Sequence, residues 1–335
     1  MRIKLKIIIS LLFVVMFSSC VHKDIIEASD VNNNVIVCVD LKNVDTKFDE
    51  LKSYMVIFYP ADENGKVIDS EKPIHHIIQS TLDYEFNLPV GKYKAVLFNN
   101  YSGQSEFSNL DDYDNLYVEA ISSDRIYDNK AKFVNVPYIP EPEMIVFDKI
   151  ELVDIVYQDK DNEVNFTPHI VTQKLEVNIK VTNLINSYKY VAEIGRFDKR
   201  CNLVAETTSE GGYVMPFTDS NSNIIFDENK KDGLIKANFL TFGLTDLANI
   251  EDAHKHYIYV DFLLVDKETH VVKSFDILDP IYSHDGHSVK LTIDVGIDNK
   301  DPFDPIVLPE IHGENSDIDA EVGDWGEETD IEIVF

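Results

Sequence analysis

The side chains that could do chemistry are few and scattered. Histidines come close together twice, at His75-His76 and at His254 and His256. Neighbours along a strand face opposite ways, so His75 and His76 cannot easily chelate one ion; residues two apart share a face, so His254 and His256 could. A zinc site wants three or four ligands, and Asp252 is the nearest further donor. The run Asp159-Lys160-Asp161-Asn162-Glu163 opens like a calcium loop, but Val164 stands where that loop needs glycine. Asp298, Asp301 and Asp304 offer weak calcium ligation at best. No nucleophile elbow, glycine-rich phosphate loop or Cys-x-x-Cys pair is present. Carboxylate pairs for glycoside hydrolysis come from distant strands and cannot be read from spacing. The expectation is a protein with no catalytic residues, no metal and no cofactor.

One cysteine does have a chemical context. Arg2, Lys4 and Lys6 precede an apolar run over residues 7–17 that only Ser10 interrupts, and Ser18, Ser19 and Cys20 follow. A membrane-spanning helix needs about 20 apolar residues. This run is too short and has the flanks of a signal peptide, assigned to residues 1–19. Small residues before Cys20 let a peptidase reach the backbone, and a cysteine at the cut resembles a bacterial lipobox, with Phe17 at the position usually held by leucine. That resemblance implies that Cys20 is acylated and becomes the new N-terminus. Each buried CH₂ contributes only about 0.8 kcal/mol, so a firm membrane attachment takes more than one acyl chain. His22, Lys23, Asp24 and Glu27 form a charged cluster similar to the surface-export signals of Bacteroidetes-type lipoproteins. The expected location is the cell envelope, as an outer-membrane lipoprotein facing outward.

The chain of 335 residues has room for two domains at about 150 residues each. Its formal net charge is −30; without the signal peptide, 27 basic residues face 60 acidic ones, a net of −33. Such a surface repels phosphate backbones, which excludes nucleic acid as a partner. Cys38 and Cys201 could pair in an oxidising envelope. The preferred expectation is two separate small hydrophobes, since free cysteine is commonly buried.

The elements that must position any site read as strands. Residues 20–34 are polar and irregular, a tether. Residues 35–41 and 54–59 are apolar runs, the second ended by Pro60, with residues 67–68 as an edge strand. Residues 84–88 alternate, Pro89-Val90-Gly91 turns, and Tyr93, Ala95 and Leu97 share a face, which predicts a hairpin. The tyrosine past the turn should bury its ring and keep its hydroxyl at the rim. Residues 99–132 are loop-rich, with a short strand at 116–121. Pro137, Pro140 and Pro142 stiffen a connection, and the domain boundary is placed there. Further strands are expected at 150–157, 174–184, 188–194, 234–244, 256–265, 270–277 and 289–295. A loop-rich excursion spans 195–233, and Asp246 could cap a short helix over 244–253. A Pro/Asp-rich connector, 298–309, leads to a last segment at 317–335. The domains are thus 35–137 and 144–335.

Residues 88–93, Leu-Pro-Val-Gly-Lys-Tyr, resemble the LPxGxY hairpin of transthyretin-like sandwiches. With the lipobox, the two β-rich halves and the ending Val322-Gly323-Asp324-Trp325-Gly326, the chain resembles the Bacteroidetes-type fimbrillin-like lipoproteins, a superfamily of pilins and fimbrial anchor and tip subunits. The resemblance implies an all-β fold of two tandem transthyretin-like antiparallel β-sandwich domains. It also implies a non-enzymatic role as a fimbrial accessory or anchor-like subunit. In polymerising pilins an arginine-preferring protease removes the first strand. No arginine lies between Cys20 and Arg125 here, so strand 35–41 is expected to be retained.

The chain stops on an alternating apolar strand, Ile331-Glu332-Ile333-Val334-Phe335, whose Ile331, Ile333 and Phe335 must pair with something. The first expectation is its own sheet; the other is a neighbouring envelope subunit. Adhesive contacts are expected on loops 101–114 and 201–223. The competing reading is a surface glycan-binding lipoprotein of a polysaccharide uptake system. A single Trp325 weakens it, and 16 tyrosines keep it open. A secreted hydrolase ranks last.

Overall fold

The structure, a computed structural model, describes residues 32–44, 53–79, 83–99, 103–121, 138–158, 160–218, 222–246, 256–277, 281–285, 288–297 and 303–311. The first strands in chain order are β1 (Asn32–Val39), β2 (Ser53–Ala61), β3 (Ile74–Gln79), β4 (Asp83–Pro89), β5 (Gly91–Asn99), β6 (Ser105–Ser108) and β7 (Tyr117–Ala120). Then come β8 (Val146–Ile155), β9 (Asn162–Phe166), β10 (His169–Ile170), β11 (Gln173–Thr182), β12 (Ser187–Phe197), β13 (Arg200–Asn202) and β14 (Thr207–Ser209). The last are β15 (Tyr213–Thr218), β16 (Asn223–Phe226), β17 (Gly233–Thr241), β18 (His256–Leu264), β19 (His270–Ile277), β20 (Ile281–Asp285), β21 (Ser288–Val295) and β22 (Ile306–Val307). Among the described residues there is a 3₁₀ turn at Leu184–Asn186 and no α-helix, so the molecule is nearly all β as expected.

Sheets β4-β1-β9 and β10-β8-β5-β2-β3 share one core. Val35, Val37 and Val39 of β1 meet Tyr54, Val56 and Phe58 of β2 and Ala95 and Leu97 of β5 there. Sheets β16-β17-β11-β21-β20 and β15-β12-β18-β19 share another. It holds Leu175, Val177 and Ile179 of β11 against Ala192 and Ile194 of β12 and Ile258 and Val260 of β18. This second core runs on, through Val118, Ala120 and Cys201, to the opposite face of β2 and β5, where Ile57, Tyr59, Val96 and Phe98 are buried. That is why residues 54–59 are apolar throughout: covered on both faces, the strand has no side to leave polar.

Several expectations change. The 88–93 segment is not a hairpin. β4 pairs with β1 and β5 with β2 and β8, so Pro89-Val90-Gly91 carries the chain from one sheet to the other. The alternation was a true signal, because each strand turns one face to the shared core; the missing part was the pairing partner. β8, β9 and β10 follow the proline cluster yet pair with strands of the first half: β8 with β5, β9 with β1, and β10 with β8. Among the described residues three ladders are parallel, β1 with β9 and β11 with both β21 and β22, where purely antiparallel sheets were expected. β1 starts at Asn32, inside the expected tether. β2 runs through Pro60. The Pro60 carbonyl accepts from Ile68 N–H at 2.8 Å on the side where β3 has not yet begun, so the absent N–H breaks no ladder bond. The edge strand at 67–68 reduces to a bridge between Ala61 and Val67. Residues 195–233 hold β13 to β16 rather than loop alone. Leu244 bridges Phe197 in extended conformation instead of starting a helix; the rest of 244–253 after Asp246 lies outside the described residues.

Candidate functional site

Cys20, Ile331, Ile333 and Phe335, the residues that the sequence singles out, lie outside the described residues. His75 and His76 do face opposite ways. His75 Nε2 meets Asp111 at 3.2 Å, and His76 lies on the Phe86 ring with centroids 3.7 Å apart. Burial among these rings lowers the His76 pKa. His254 lies outside the described residues, and burial also lowers the pKa of His256. Asp161 accepts from the Asn34 amide at 2.6 Å in a polar turn. Among the described residues no three His, Cys, Asp or Glu side chains converge as a metal-holding group. No disulfide joins Cys38 and Cys201. Cys201 is buried, and burial pushes its thiol up to about 12.

What the fold brings together is the two loop regions. β6 and β7 come from the first and β13 and β14 from the second, and they form one sheet of order β14-β13-β7-β6. Its inner side buries Val118, Ala120 and Cys201 in the second core. Its outer side is polar. Glu106 and Glu119 stand directly opposite each other, an unfavourable pair that Lys199, 3.4 Å from Glu119, offsets. Arg200 lies over the Tyr117 ring at 3.8 Å, pairs with Glu210 at 2.9 Å and donates to Ser108 at 3.5 Å. Beside it β14 exposes Thr207, Thr208 and Ser209.

The loop between β6 and β7 completes the face. Tyr59 OH donates to Leu110 O at 2.9 Å, Tyr113 stacks edge-on against Tyr59 at 5.3 Å, and Asn202 Nδ2 donates to Asp114 O at 2.8 Å. The Tyr113 hydroxyl donates to Glu151 at 3.3 Å, and Lys94 lies 4.4 Å above its ring. Held this way, Asp111 and Asp112 line an open concavity of about 650 Å³ with His75, Asn109, Leu110 and Asn115. Asp112 is tied to Asn115 by two hydrogen bonds, at 3.2 and 2.9 Å. The face offers carboxylates, hydroxyls and amides for recognition. Among the described residues the Tyr117 ring is already covered by Arg200, and Tyr113 is buried under Lys94, so neither is free to stack on a ligand.

Sequence reasoning named both loop regions but not their union. β13 and β14 are three residues long and carry no periodicity to detect.

Among solved structures the fold is similar to that of a candidate adhesin from Bacteroides ovatus ATCC 8483, at 12% identity and a TM-score of 0.54, covering 88% of this chain and 98% of that one. Lower similarity extends to the fimbrial anchor protein Mfa2 of Porphyromonas gingivalis, at 9% identity and a TM-score of 0.43 over 74% of this chain and 83% of that one. It extends also to the tip fimbrial protein Mfa3 of the same organism, at 13% identity and 0.36 over 76% and 83%. No curated protein matches the sequence. A family described as a domain of unknown function, DUF5119, matches residues 19–232, which include both halves of the polar face, and the chain belongs to that family.

Proposed function

We propose that this protein is a non-enzymatic adhesion or fimbrial accessory subunit of the cell envelope, working through strand pairing and loop contacts. The observation that supports it most is the polar sheet β14-β13-β7-β6, assembled from two distant loop regions on a fold similar to that of a Bacteroides ovatus candidate adhesin. Two strand-linked segments fastened to one core form a rigid platform, and rigid scaffolds carrying exposed loops are how binding faces are usually built.

The finer parts of the proposal follow from the sequence. Cys20 carries the lipid and anchors the chain in the outer membrane, facing outward. Two tandem transthyretin-like sandwiches extend from it, and Ile331, Ile333 and Phe335 pair with a sheet edge. Its partners are envelope or fimbrial subunits. Retention of β1 in the mature protein is supported by its place as the central strand of sheet β4-β1-β9, with Val35, Val37 and Val39 in the core. Glycan capture is the weaker reading, because on this face Tyr113 is buried and Tyr117 is covered by Arg200.

Metabolic labelling with palmitate tests the anchor: label should enter the wild-type protein and be absent from Cys20→Ala. Adherence of cells expressing Asp111→Asn/Asp112→Asn or Arg200→Ala on an otherwise folded, surface-displayed protein tests the face. Unchanged adherence and an unchanged set of captured envelope proteins would reject it. Turnover of any substrate would overturn the non-enzymatic assignment.

A further inference from the structure

One end of the second sandwich carries apolar side chains left open to solvent. Ile185 and Tyr188 beside the 3₁₀ turn are 48% and 44% exposed, Ile225 and Phe226 at the end of β16 are 50% and 39% exposed, and Val265 after β18 is 45% exposed. Ile185, Tyr188, Phe226 and Val265 belong to one surface, while Ile225, next to Phe226 along β16, faces the other way. Ile185 N–H donates to Lys231 O at 3.1 Å in the turn after β16, and Val265 N–H donates to Asn186 O at 2.9 Å. Tyr188 and Phe226 line a common hollow with Leu184 and Ile224. Among the described residues β16 pairs with β17 alone, so its outer edge presents open peptide groups. Isolated apolar side chains on a surface need no explanation, whereas a contiguous set beside an open strand edge does.

Where the chain leaves the described residues points to what covers this surface. β22 lies beside Val181 and Thr182 of β11, and Leu308 N–H donates to Thr182 O at 3.0 Å. The amides of Asn183 and Asn186 hold the carbonyls of Leu308 and Pro309 at 2.9 and 2.8 Å. The backbone is therefore delivered to the same turn that carries Ile185 and Tyr188. Twenty-four residues follow Ile311 in this chain and end in the alternating stretch 331–335. Residues 312–330 contain eight Asp or Glu and no Lys or Arg. Lys189, Lys230, Lys231 and Lys267 are exposed around the apolar surface, alongside Glu228, Asp266 and Glu268. Lys267 lies 4.6 Å over the Tyr188 ring, and Asp266 is engaged by Thr269 in its own turn. Four lysines gathered at one end matter in a chain with twice as many acidic as basic residues.

We propose that residues 331–335 dock on this surface of their own subunit as an added strand along β16, with Ile331, Ile333 and Phe335 continuing the apolar face of Ile224, Phe226 and Tyr188. An extended 19-residue connector spans up to about 60 Å at ~3.3 Å per residue, so reach sets no limit. Attachment to the same chain keeps the local strand concentration near the millimolar range, ahead of any strand from a second copy at ordinary concentrations. Residues 331–335 are thereby stored on their own subunit, whether or not that subunit joins a fimbria.

The test uses the full mature chain. A disulfide between Phe226→Cys and Ile333→Cys, which share a face in the docked strand, should form within one chain, at a yield independent of protein concentration. Amide exchange over residues 223–226 should be about tenfold slower in the full chain than in one ending at Ile311. Ile333→Asp/Phe335→Asp, which leaves the described fold untouched, should release the same protection if the shortened chain fails to fold. Cross-linked dimers whose yield rises with concentration would assign the surface to a second copy and overturn the proposal. No cross-link together with unchanged exchange would overturn it as well. Palmitate labelling and adherence are read separately and do not bear on this outcome.

Discussion

The Tyr93 hydroxyl donates to the Pro89 carbonyl at 2.9 Å across the link between β4 and β5, while its ring lies buried against Phe58 with centroids 6.0 Å apart. The bond fixes the place where the chain changes sheets, since β4 and β5 belong to opposite layers of the first core. The side chain therefore has two separable parts, an apolar ring that fills the core and a hydroxyl that closes the corner.

Tyr93→Phe keeps the ring and removes the bond. It should cost about 1 kcal/mol, the usual net worth of one internal hydrogen bond. Tyr93→Ala should cost about 3–5 kcal/mol, the range for emptying a buried aromatic site. Urea unfolding of both variants separates the two parts. Equal losses would mean that the hydroxyl carries the corner alone.

At the polar face, the guanidinium of Arg200 over Tyr117 with Glu210 beside it should behave as a coupled group. A double-mutant cycle over Arg200→Ala and Tyr117→Ala should give a coupling of about 0.5–1 kcal/mol, as for partly exposed cation–π pairs. Each single variant should unfold cooperatively, so that a loss of adherence in Arg200→Ala reads as a change in the face rather than in the fold.

Much of this architecture was legible because burial writes itself into alternation. Leu175, Val177 and Ile179 read as one face of a strand and lie in one core. The same logic fails where a strand is too short to alternate, as at Arg200–Asn202 and Thr207–Ser209. It is also silent about partners. The pairing of Tyr117 with Asn202 joins residues that no local pattern connects, and β4 and β5 flank a tight turn yet enter different sheets. Pro137, Pro140 and Pro142 stiffen the chain, but proline chemistry is local and cannot tell whether β8 returns to the strands before it. Glu141 and Asn99 show that it is tied on both sides. Glu141 accepts from Leu240 N–H at 2.8 Å, and Asn99 accepts from Val146 N–H at 2.8 Å.

The Cys201 thiol should be inert in the folded protein. Burial pushes it up to about 12, with Glu206 and Asp198 adding repulsion, so at neutral pH the reactive thiolate is scarcely populated. A thiol-specific reagent should label Cys201 only after denaturant is added, as read by peptide mass mapping. Rapid labelling in native buffer would contradict the packing of β13 against the second core.

Glu176 links stability to pH. Asn178 donates to it at 3.0 Å and Lys290 pairs with it at 2.7 Å; these hold its carboxyl below the ordinary glutamate value of 4.5. A depressed folded-state pKa adds stability above the unfolded value, and that stability is lost as pH falls through the folded one. Glu176→Gln should therefore be less stable than wild type at neutral pH, with the gap closing as the pH drops below 4.5. Urea midpoints across that range check both the sign and the window. A gap that widened on acidification would reject the pairing.

Gly195 on β12 stands opposite Tyr257 on β18, so close that an added Cβ would lie 2.2 Å from the Tyr257 Cε1 and 2.6 Å from its Cζ. The ring is only 2% exposed and packs with Tyr138, Val214 and Tyr259, leaving it no direction in which to retreat. Gly195→Ala must therefore push two paired strands apart or drive the ring off its rotamer. Overpacking of this kind costs about 1–3 kcal/mol and occasionally more. Adding Tyr257→Leu, which shortens the obstructing side chain, should restore part of the loss, because a cost that is steric is relieved when the partner is trimmed. Thermal unfolding of the single and double variants tests this. A double variant that shows the full sum of the two single losses would mean that Gly195 is required for its backbone conformation rather than for the space it leaves to Tyr257.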